Sequence, residues 1–430
     1  MARGLPKGWY AWHSLRIRVP RHRDAEADFV IADPARGILI IEVKGGLIEK
    51  YGDRQRCPRA CDGDRNMVTG NAVHARAELL LFAKLSALGT AKPVTIFLVA
   101  WDSLSPYFDL MRGGLMASVN SRQQLLTERA SGAFLGLALG DAFGRPLEFA
   151  RGEDVRTRPV SIEPGKFKWT DDTHMAIYLA RAVLDVSGKP FDEEAFGAAV
   201  GLRFVEWLHD PLTPTTAPGG TCIRGATKFE TCGDWRKSGD PGSDGCGAVM
   251  RIAPLAMAFR GDTLTKAARI SAVVTHAHPN AVAAAVAGSL LLRLVLETGL
   301  TPTAVQEVIR FLQSDIPESS VVVAALTAAL EEAKSTSRWL NEAAIPEGEG
   351  GWRSPSALGL AVTAALRFPH DFARAVEFAA RIDGDSDSVA ALAGMYVGAG
   401  LGKQGLPGSW LAALPQSDLI EELAGRLTAH

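Results

Sequence analysis

Trp169-Thr170-Asp171-Asp172-Thr173-His174-Met175-Ala176-Ile177-Tyr178-Leu179-Ala180-Arg181-Ala182-Val183-Leu184 is the stretch that decides the fold. From His174 onward the apolar residues recur at helical spacing, and the two carboxylates ahead of them stand at the positive end of a helix dipole. The same design returns at Asp385-Ser386-Asp387-Ser388, ahead of a helical run from Ala390 to Val397. Around these two places helical periodicity fills segments 130–142, 173–186, 192–208, 247–259, 264–276, 279–297, 302–313, 319–334, 355–367, 371–380 and 387–399. No convincing strand pattern interrupts them, and the breaks carry Gly, Pro, Asp or Ser. Many helices without a repeat of about 20–50 residues predict a compact all-α domain over 128–430 and argue against a solenoid.

Ahead of that domain the character is α/β. Ala27 to Ala32 and Gly37 to Val43 are strand-like runs separated by Asp33-Pro34-Ala35-Arg36-Gly37, a turn in which Pro presets φ and Gly allows a positive one. Trp9 to Val19 is also strand-like, a helical pattern covers 71–88, and Val94 to Ala100 reads as a buried strand. Residues 103–127 lose clear periodicity. The expected division is an α/β domain at 1–117, a linker at 118–127 and the all-α domain at 128–430.

A chain of 430 residues, 47% of them hydrophobic, can bury a large core, and 22% charged residues argue against wholesale disorder. Residues 1–127 carry 18 Lys and Arg against 12 Asp and Glu, while 128–430 carry 28 against 36. That asymmetry points to two units with different partners. Five cysteines (Cys57, Cys61, Cys222, Cys232, Cys246) are too few and too odd for a disulfide framework, which favours a reducing, cytoplasmic setting. Cys57 and Cys61 have no second Cys/His pair at zinc-finger spacing. The N-terminus lacks the apolar stretch of a signal peptide, and runs such as 281–296 are broken by Arg or Glu, so no membrane partner is expected.

One N-cap needs one oxygen, whereas each acidic cluster offers three or more within four residues. Oxygen donors alone point to Mg²⁺, Mn²⁺ or Ca²⁺. Asp383-x-Asp385-x-Asp387 is not an EF-hand, because Ser388 and Gly394 stand where that loop requires Gly and Glu.

Six stretches carry a family resemblance: Gly132-Ala-Phe-Leu-Gly-Leu-Ala-Leu-Gly-Asp141-Ala-Phe-Gly-Arg-Pro-Leu-Glu148-Phe, Trp169 to Thr173, Ala217-Pro-Gly-Gly-Thr-Cys222, Gly245-Cys-Gly-Ala-Val-Met-Arg251-Ile-Ala-Pro254, Thr275-His276-Ala-His-Pro279, and Asp383-Gly-Asp-Ser-Asp-Ser-Val-Ala390. In this order they make residues 128–430 resemble the ADP-ribosylglycohydrolase family. The resemblance implies a binuclear Mg²⁺ or Mn²⁺ centre held by Thr170, Asp171, Asp172, Asp385, Asp387 and Ser388, with Ser388 where the family usually has Thr. It implies catalytic work for Asp171 and Asp172, and general acid/base or water-polarising work for Glu148, which sits where the family has a mobile-loop glutamate. Gly245, Cys246 and Gly247 match the loop that holds the ADP-ribose pyrophosphate, with Asp244 where related sequences often carry a basic residue. His276 matches a substrate-reaching position. Asp141 is read either as support behind the metal ligands or as a packing residue. Trp169, Phe143 and Phe149 are equal candidates for stacking on adenine.

In the front part, Asp28, Glu42 and Lys44 alternate onto one face of adjacent strands, a carboxylate pair plus an ammonium able to hold one Mg²⁺. Residues 24–46 resemble the nuclease-related domain of the restriction-endonuclease-like group. An early helical Glu and a following Gln of that group are missing here, Asn71 being the nearest substitute for the Gln. Arg16, Arg18, Arg21 and Arg23 are placed to touch phosphates, making DNA or RNA a second class of partner.

The resulting expectation is a two-domain enzyme that removes ADP-ribose from a modified acceptor, arginine on a protein first among them. The alternatives are a Mg²⁺-dependent nuclease whose back domain senses ADP-ribose, and a non-catalytic ADP-ribose binder.

Overall fold

The computed structural model describes residues 10–17, 25–33, 38–43, 105–345 and 350–429. By contacts these fall into two compact units, Met1–Ala117 and Ser118–His430. In the first, β1 (Tyr10–Ile17), β2 (Ala25–Asp33) and β3 (Ile38–Val43) form an antiparallel sheet in that order. The three strand-like runs read from the sequence are all there. The expected helix at 71–88, the strand at 94–100, Cys57, Cys61, Asn71 and Lys44 lie outside the described residues.

The second unit is helical: α1 (Ser105–Gly144), α2 (Glu153–Thr157), α3 (Asp171–Asp185), α4 (Glu193–His209), α5 (Gly220–Cys232), α6 (Trp235–Ser238), α7 (Ala253–Ala258) and α8 (Gly261–Val273). There follow α9 (Pro279–Thr298), α10 (Pro302–Asp315), α11 (Ser320–Glu332), α12 (Ser354–Arg367), α13 (Phe372–Ala380), α14 (Ser386–Leu401), α15 (Gly408–Ala413) and α16 (Ser417–Thr428). Several begin as their sequence dictates. Asp192 accepts from Ala195 N (2.8 Å), Asp371 from Arg374 N (3.1 Å), and Thr301 Oγ1 from Ala304 N (3.2 Å) with Pro302 opening α10.

The segment expected as the linker, 118–127, lies within α1, where Gln123, Gln124, Leu125 and Leu126 favour helix although periodicity is unclear. The structure corrects the sequence reading in two places. The helix expected at 247–259 is a short turn at Cys246–Ala248 followed by α7, because Pro254 lacks an N–H and begins a new helix. Helices α5 and α16 have no counterpart among the expected segments, α5 because its glycine-rich start resembles a loop.

Helices α1 and α14 position the site. Gly132, Gly136, Gly140 and Gly144 recur every fourth residue along α1, and a Cβ on any of them would collide with backbone carbonyl oxygens of Gly398, Gly394, Ala390 and Ser386 respectively. The two helix backbones therefore touch over three turns, closer than side chains would allow. Near the end of that contact Asp141 on α1 is brought beside the start of α14. Helix α9 has the length and apolar character of a membrane span, yet 78% of that window is buried among the other helices. Its Arg293 is folded back onto Glu297 (2.8 Å) and the Ala256 carbonyl (3.2 Å).

Candidate metal centre

The acids at the starts of α3 and α14 do not cap their own helices. Thr170 at the N-cap of α3 and Asp385 at that of α14 make no side-chain capping bond. The work is done at α3 by Asp141. Its Oδ1 accepts from Thr170 N (2.7 Å), and its Oδ2 from Thr173 N (3.0 Å) and Thr173 Oγ1 (2.5 Å). A carboxylate borrowed from α1 thus satisfies two N–H groups at the helix start and releases Asp171 and Asp172 from that duty.

Asp171 Oδ2 accepts from Gly219 N (2.9 Å), and Thr170 Oγ1 reaches Asp172 Oδ2 (3.3 Å). Asp172 is 2% exposed and its Oδ1 has no hydrogen-bond partner. On the α14 side, Asp387 Oδ1 accepts from Ser388 N (3.1 Å). Asp385 N is tied to the Gly350 carbonyl (2.7 Å), and its Oδ2 accepts from the Cys246 thiol (2.8 Å). Ser388 Oγ donates to the same sulfur (3.6 Å).

Burial and mutual repulsion push these carboxyls up from the usual carboxylate range. Asp141 is pushed up to about 7 by burial and then by Asp387. Asp171 rises to about 8 by burial, opposed by the Gly219 N–H. Asp172 and Asp385 rise well above the carboxylate range, burial first and Asp387 second. Asp387 is raised by burial, opposed by hydrogen bonding from Asp385 and from the Ser388 N–H. Half-buried Glu148 is pushed up to about 8 by burial, then by Asp387, Asp171 and Asp141, with Arg145 opposing. Five buried aspartates and a half-buried glutamate therefore feel one another's charge.

Such a donor set fits a divalent cation. The bare Asp172 oxygen and the buried carboxyls of Asp385 and Asp387 are groups that a cation would satisfy, and hard carboxylate and hydroxyl oxygens suit Mg²⁺ or Mn²⁺. Among the described residues no three His, Cys, Asp or Glu side chains are already drawn together at ligand spacing. Asp171, Asp385 and Asp387 each turn an oxygen toward a protein donor, and Asp172 Oδ1 alone of these is shown without one.

Around this centre the other expected residues are distributed as follows. Glu148 ends the 3₁₀ turn Arg145–Leu147 and the next residue, Phe149, has φ 64° and is 67% exposed. Cys246 N donates to the Trp352 carbonyl (2.9 Å), so that N–H is already spent, and its thiol faces Asp385. Gly245 and Gly247 give room to His276, whose ring atoms lie within 3.3 Å of where a Cβ would stand at either position. His276 is buried, joined through Nδ1 to Thr275 Oγ1 (2.8 Å), which accepts from Arg251 (2.7 Å). Burial, then Arg251, pushes it down to about 3, so it is a neutral ring beneath the loop. Asp244 is itself answered by Asn280 (3.3 Å) and Arg353 (3.7 Å). Of the three aromatic candidates, Trp169 and Phe143 are buried, the former bonded to Pro415 O (3.1 Å) and the latter stacked on Trp410 at 4.9 Å. Only Phe149 presents its ring outward.

Sequence reasoning does not find the thiol contact at Asp385, nor the turn around Trp352 that touches both the 245–247 loop and Phe149. In the front unit, Glu42 pairs with Phe29 and Val43 with Ala27, leaving Asp28 as the extra residue of a β-bulge next to Glu42.

Residues 1–97 match the nuclease-related domain, and residues 122–430 match the ADP-ribosylglycohydrolase family. An ADP-ribosylarginine hydrolase, Tri1, of Pseudomonas putida is 29% identical over 70% of this chain and 78% of its own length. The ADP-ribosyl-[dinitrogen reductase] glycohydrolase of Rhodospirillum rubrum is 32% identical over 35% of this chain and 52% of its own. A solved structure, an ADP-ribosylglycohydrolase-related protein complex, superposes with a TM-score of 0.57 at 28% identity, covering 71% of this chain and 98% of that one. With more than half of its length matched in this way, the chain belongs to the ADP-ribosylglycohydrolase family.

Proposed function

We propose that the chain hydrolyses the N-glycosidic bond between ADP-ribose and an arginine side chain of a modified protein, using a binuclear Mg²⁺ or Mn²⁺ centre in the helical unit. The observation that carries this reading is that the buried acids of α3 and α14 leave the capping of α3 to Asp141, and Asp172 Oδ1 has no partner. Thr170, Asp171, Asp172, Asp385, Asp387 and Ser388 would hold the ions. When bound, the ions supply positive charge for the vicinal ribose hydroxyls and acidify a water.

The rest follows from the chain itself. Asp141 fixes the Thr170–Thr173 turn and with it the direction of Asp171 and Asp172. Glu148, half-buried with Arg145 beside it, can hold and move the proton that the reaction transfers. In hydrolysis the C1″–N bond breaks through an oxocarbenium-like state, the water oxygen bonds to C1″, and the water's proton ends on the guanidino nitrogen. The names of relatives that act on ADP-ribosylarginine support the acceptor. Free thiols at Cys222, Cys232 and Cys246 fit a cytoplasmic setting.

For the front unit we read residues 1–117 as a module that holds DNA or RNA near the hydrolase, with Asp28 and Glu42 adjacent across β2 and β3 as the place for one Mg²⁺. The experiment is ADP-ribose release by the full chain from arginine-linked, serine-linked and nucleic-acid-linked substrates with Mg²⁺ or Mn²⁺. Release from the arginine substrate, abolished by chelator, is the expected result. Release only from another linkage overturns the acceptor, and release that survives chelation overturns the metal centre.

A further inference from the structure

The segment 145–152 is anchored firmly on both sides of its tip. Leu147 and Ala150 are buried, Arg145 donates to the Trp169 and Thr215 carbonyls (3.3 and 3.0 Å), and Gly152 N donates to Asp383 Oδ1 (2.7 Å). The tip is Glu148–Phe149. Phe149 N makes only a long bond to the Gly384 carbonyl (3.4 Å), and the residue holds a positive φ that a bulky L side chain adopts only when its surroundings impose it. What the surroundings offer is Trp352. The two rings stack with centroids 5.4 Å apart and planes 24° from parallel, although Phe149 is otherwise largely in water.

Trp352 is itself fixed to the acidic centre. Its carbonyl accepts from Cys246 N (2.9 Å), Gly350 two residues earlier accepts from Asp385 N (2.7 Å), and Ser354 two residues later binds Asp244 O (2.7 Å) and Gly245 O (2.6 Å). A ring held on the frame of the α14 acids thus holds the residue that follows Glu148.

We propose that Trp352 is a positioning residue for Glu148, acting through the ring of Phe149: the stack selects the positive-φ turn that fixes the direction of the Glu148 side chain. The inference rests on the hydrolase reading for its effect on rate, and on geometry alone for its effect on the loop. An aromatic pair of this kind shifts a two-state population by about three- to tenfold. In the full chain, Trp352→Ala is therefore expected to speed amide hydrogen exchange across 145–152 and to lower kcat by that factor, with KM within twofold. Phe149→Ala should behave alike, and the double variant should be no worse than the poorer single one, because both remove the same contact. Trp352→Phe keeps an aromatic face, and restores kcat to within twofold without depending on how well Trp352→Ala folds.

Unchanged exchange across 145–152 in both Trp352 and Phe149 variants overturns the proposal, as do losses that multiply in the double variant or that fall wholly on KM. If wild type releases no ADP-ribose but the exchange rises as stated, the hydrolase reading fails while the loop contact stands. If wild type is active and the exchange is unchanged, the hydrolase reading stands and the positioning role of Trp352 fails.

Discussion

The two acidic clusters look alike in sequence and are held in different ways. At the start of α3 the fixed partners are backbone amides: Asp141 takes those of Thr170 and Thr173, and Asp171 takes that of Gly219. At the start of α14 the partners are mixed: Asp387 takes the Ser388 amide, whereas Asp385 takes the thiol of Cys246. Amides stay where the fold puts them, whereas a thiol on a rotatable side chain can turn away from its acceptor. The α3 side is therefore held more by backbone, although Asp172 Oδ1 there has no partner, and the α14 side more by a side chain.

The largest expected effect treats the halves as one unit. Asp172→Ala and Asp387→Ala should each cut ADP-ribose release by roughly 10²–10³-fold, the scale of losing a preorganised electrostatic partner. A large loss from only one of the two would break the pairing of the clusters.

Next comes pH. The carboxyls of Asp141, Asp171 and Glu148 titrate near 7 to 8 when folded, against about 4 when unfolded, so the unfolded state loses its protons first. Their contribution to stability is complete below about pH 4 and is lost as pH rises through 7 to 8. Chelated protein should melt roughly 5–10 °C lower at pH 8 than at pH 5. Saturating Mn²⁺ should erase the difference, since the ion replaces the protons, and calorimetry at the two pH values with and without metal checks both statements.

Stability variants sharpen the contrast through sign. Asp387 pushes up its carboxylate neighbours, so Asp387→Asn should stabilise the chelated protein by about 1–2 kcal/mol, while with metal supplied its ADP-ribose release should fall by roughly 10²–10³-fold. Asp141→Asn should instead destabilise by about 1–3 kcal/mol, because an amide has one acceptor oxygen where two now serve three donors. Denaturant titration of both would show whether the signs differ. Gly140→Ala, whose Cβ meets the Ala390 carbonyl, should cost about 1–3 kcal/mol, whereas Gly425→Ala on α16 has open space and should be neutral or slightly stabilising. The smallest effect is Glu42→Ala in β3, expected to leave ADP-ribose release within twofold of wild type.

Much of this is readable in the chain because it is local. Asp171, Asp172, Asp385 and Asp387 announce themselves as too many oxygens at two helix starts, and most helix boundaries follow apolar spacing and caps. The sequence leaves Asp141 open between support and packing, since nothing within α1 tells that its carboxylate spans to Thr170 and Thr173. The four-residue glycine ladder from Gly132 to Gly144 is in plain view, and its spacing is the available signal that α1 meets another backbone. The roles of Cys246 and Trp352 toward the acids are illegible because their partners, Asp385 and Phe149, lie more than a hundred residues away, and only the folded chain brings them together.

The central claim is that both clusters bind cations as one centre, and equilibrium Mn²⁺ binding to the full chain tests it most directly. Wild type should bind at least two ions, and Asp172→Ala/Asp387→Ala should lose two of them. Binding that is absent from wild type, or that persists undiminished in the double variant, would contradict the claim.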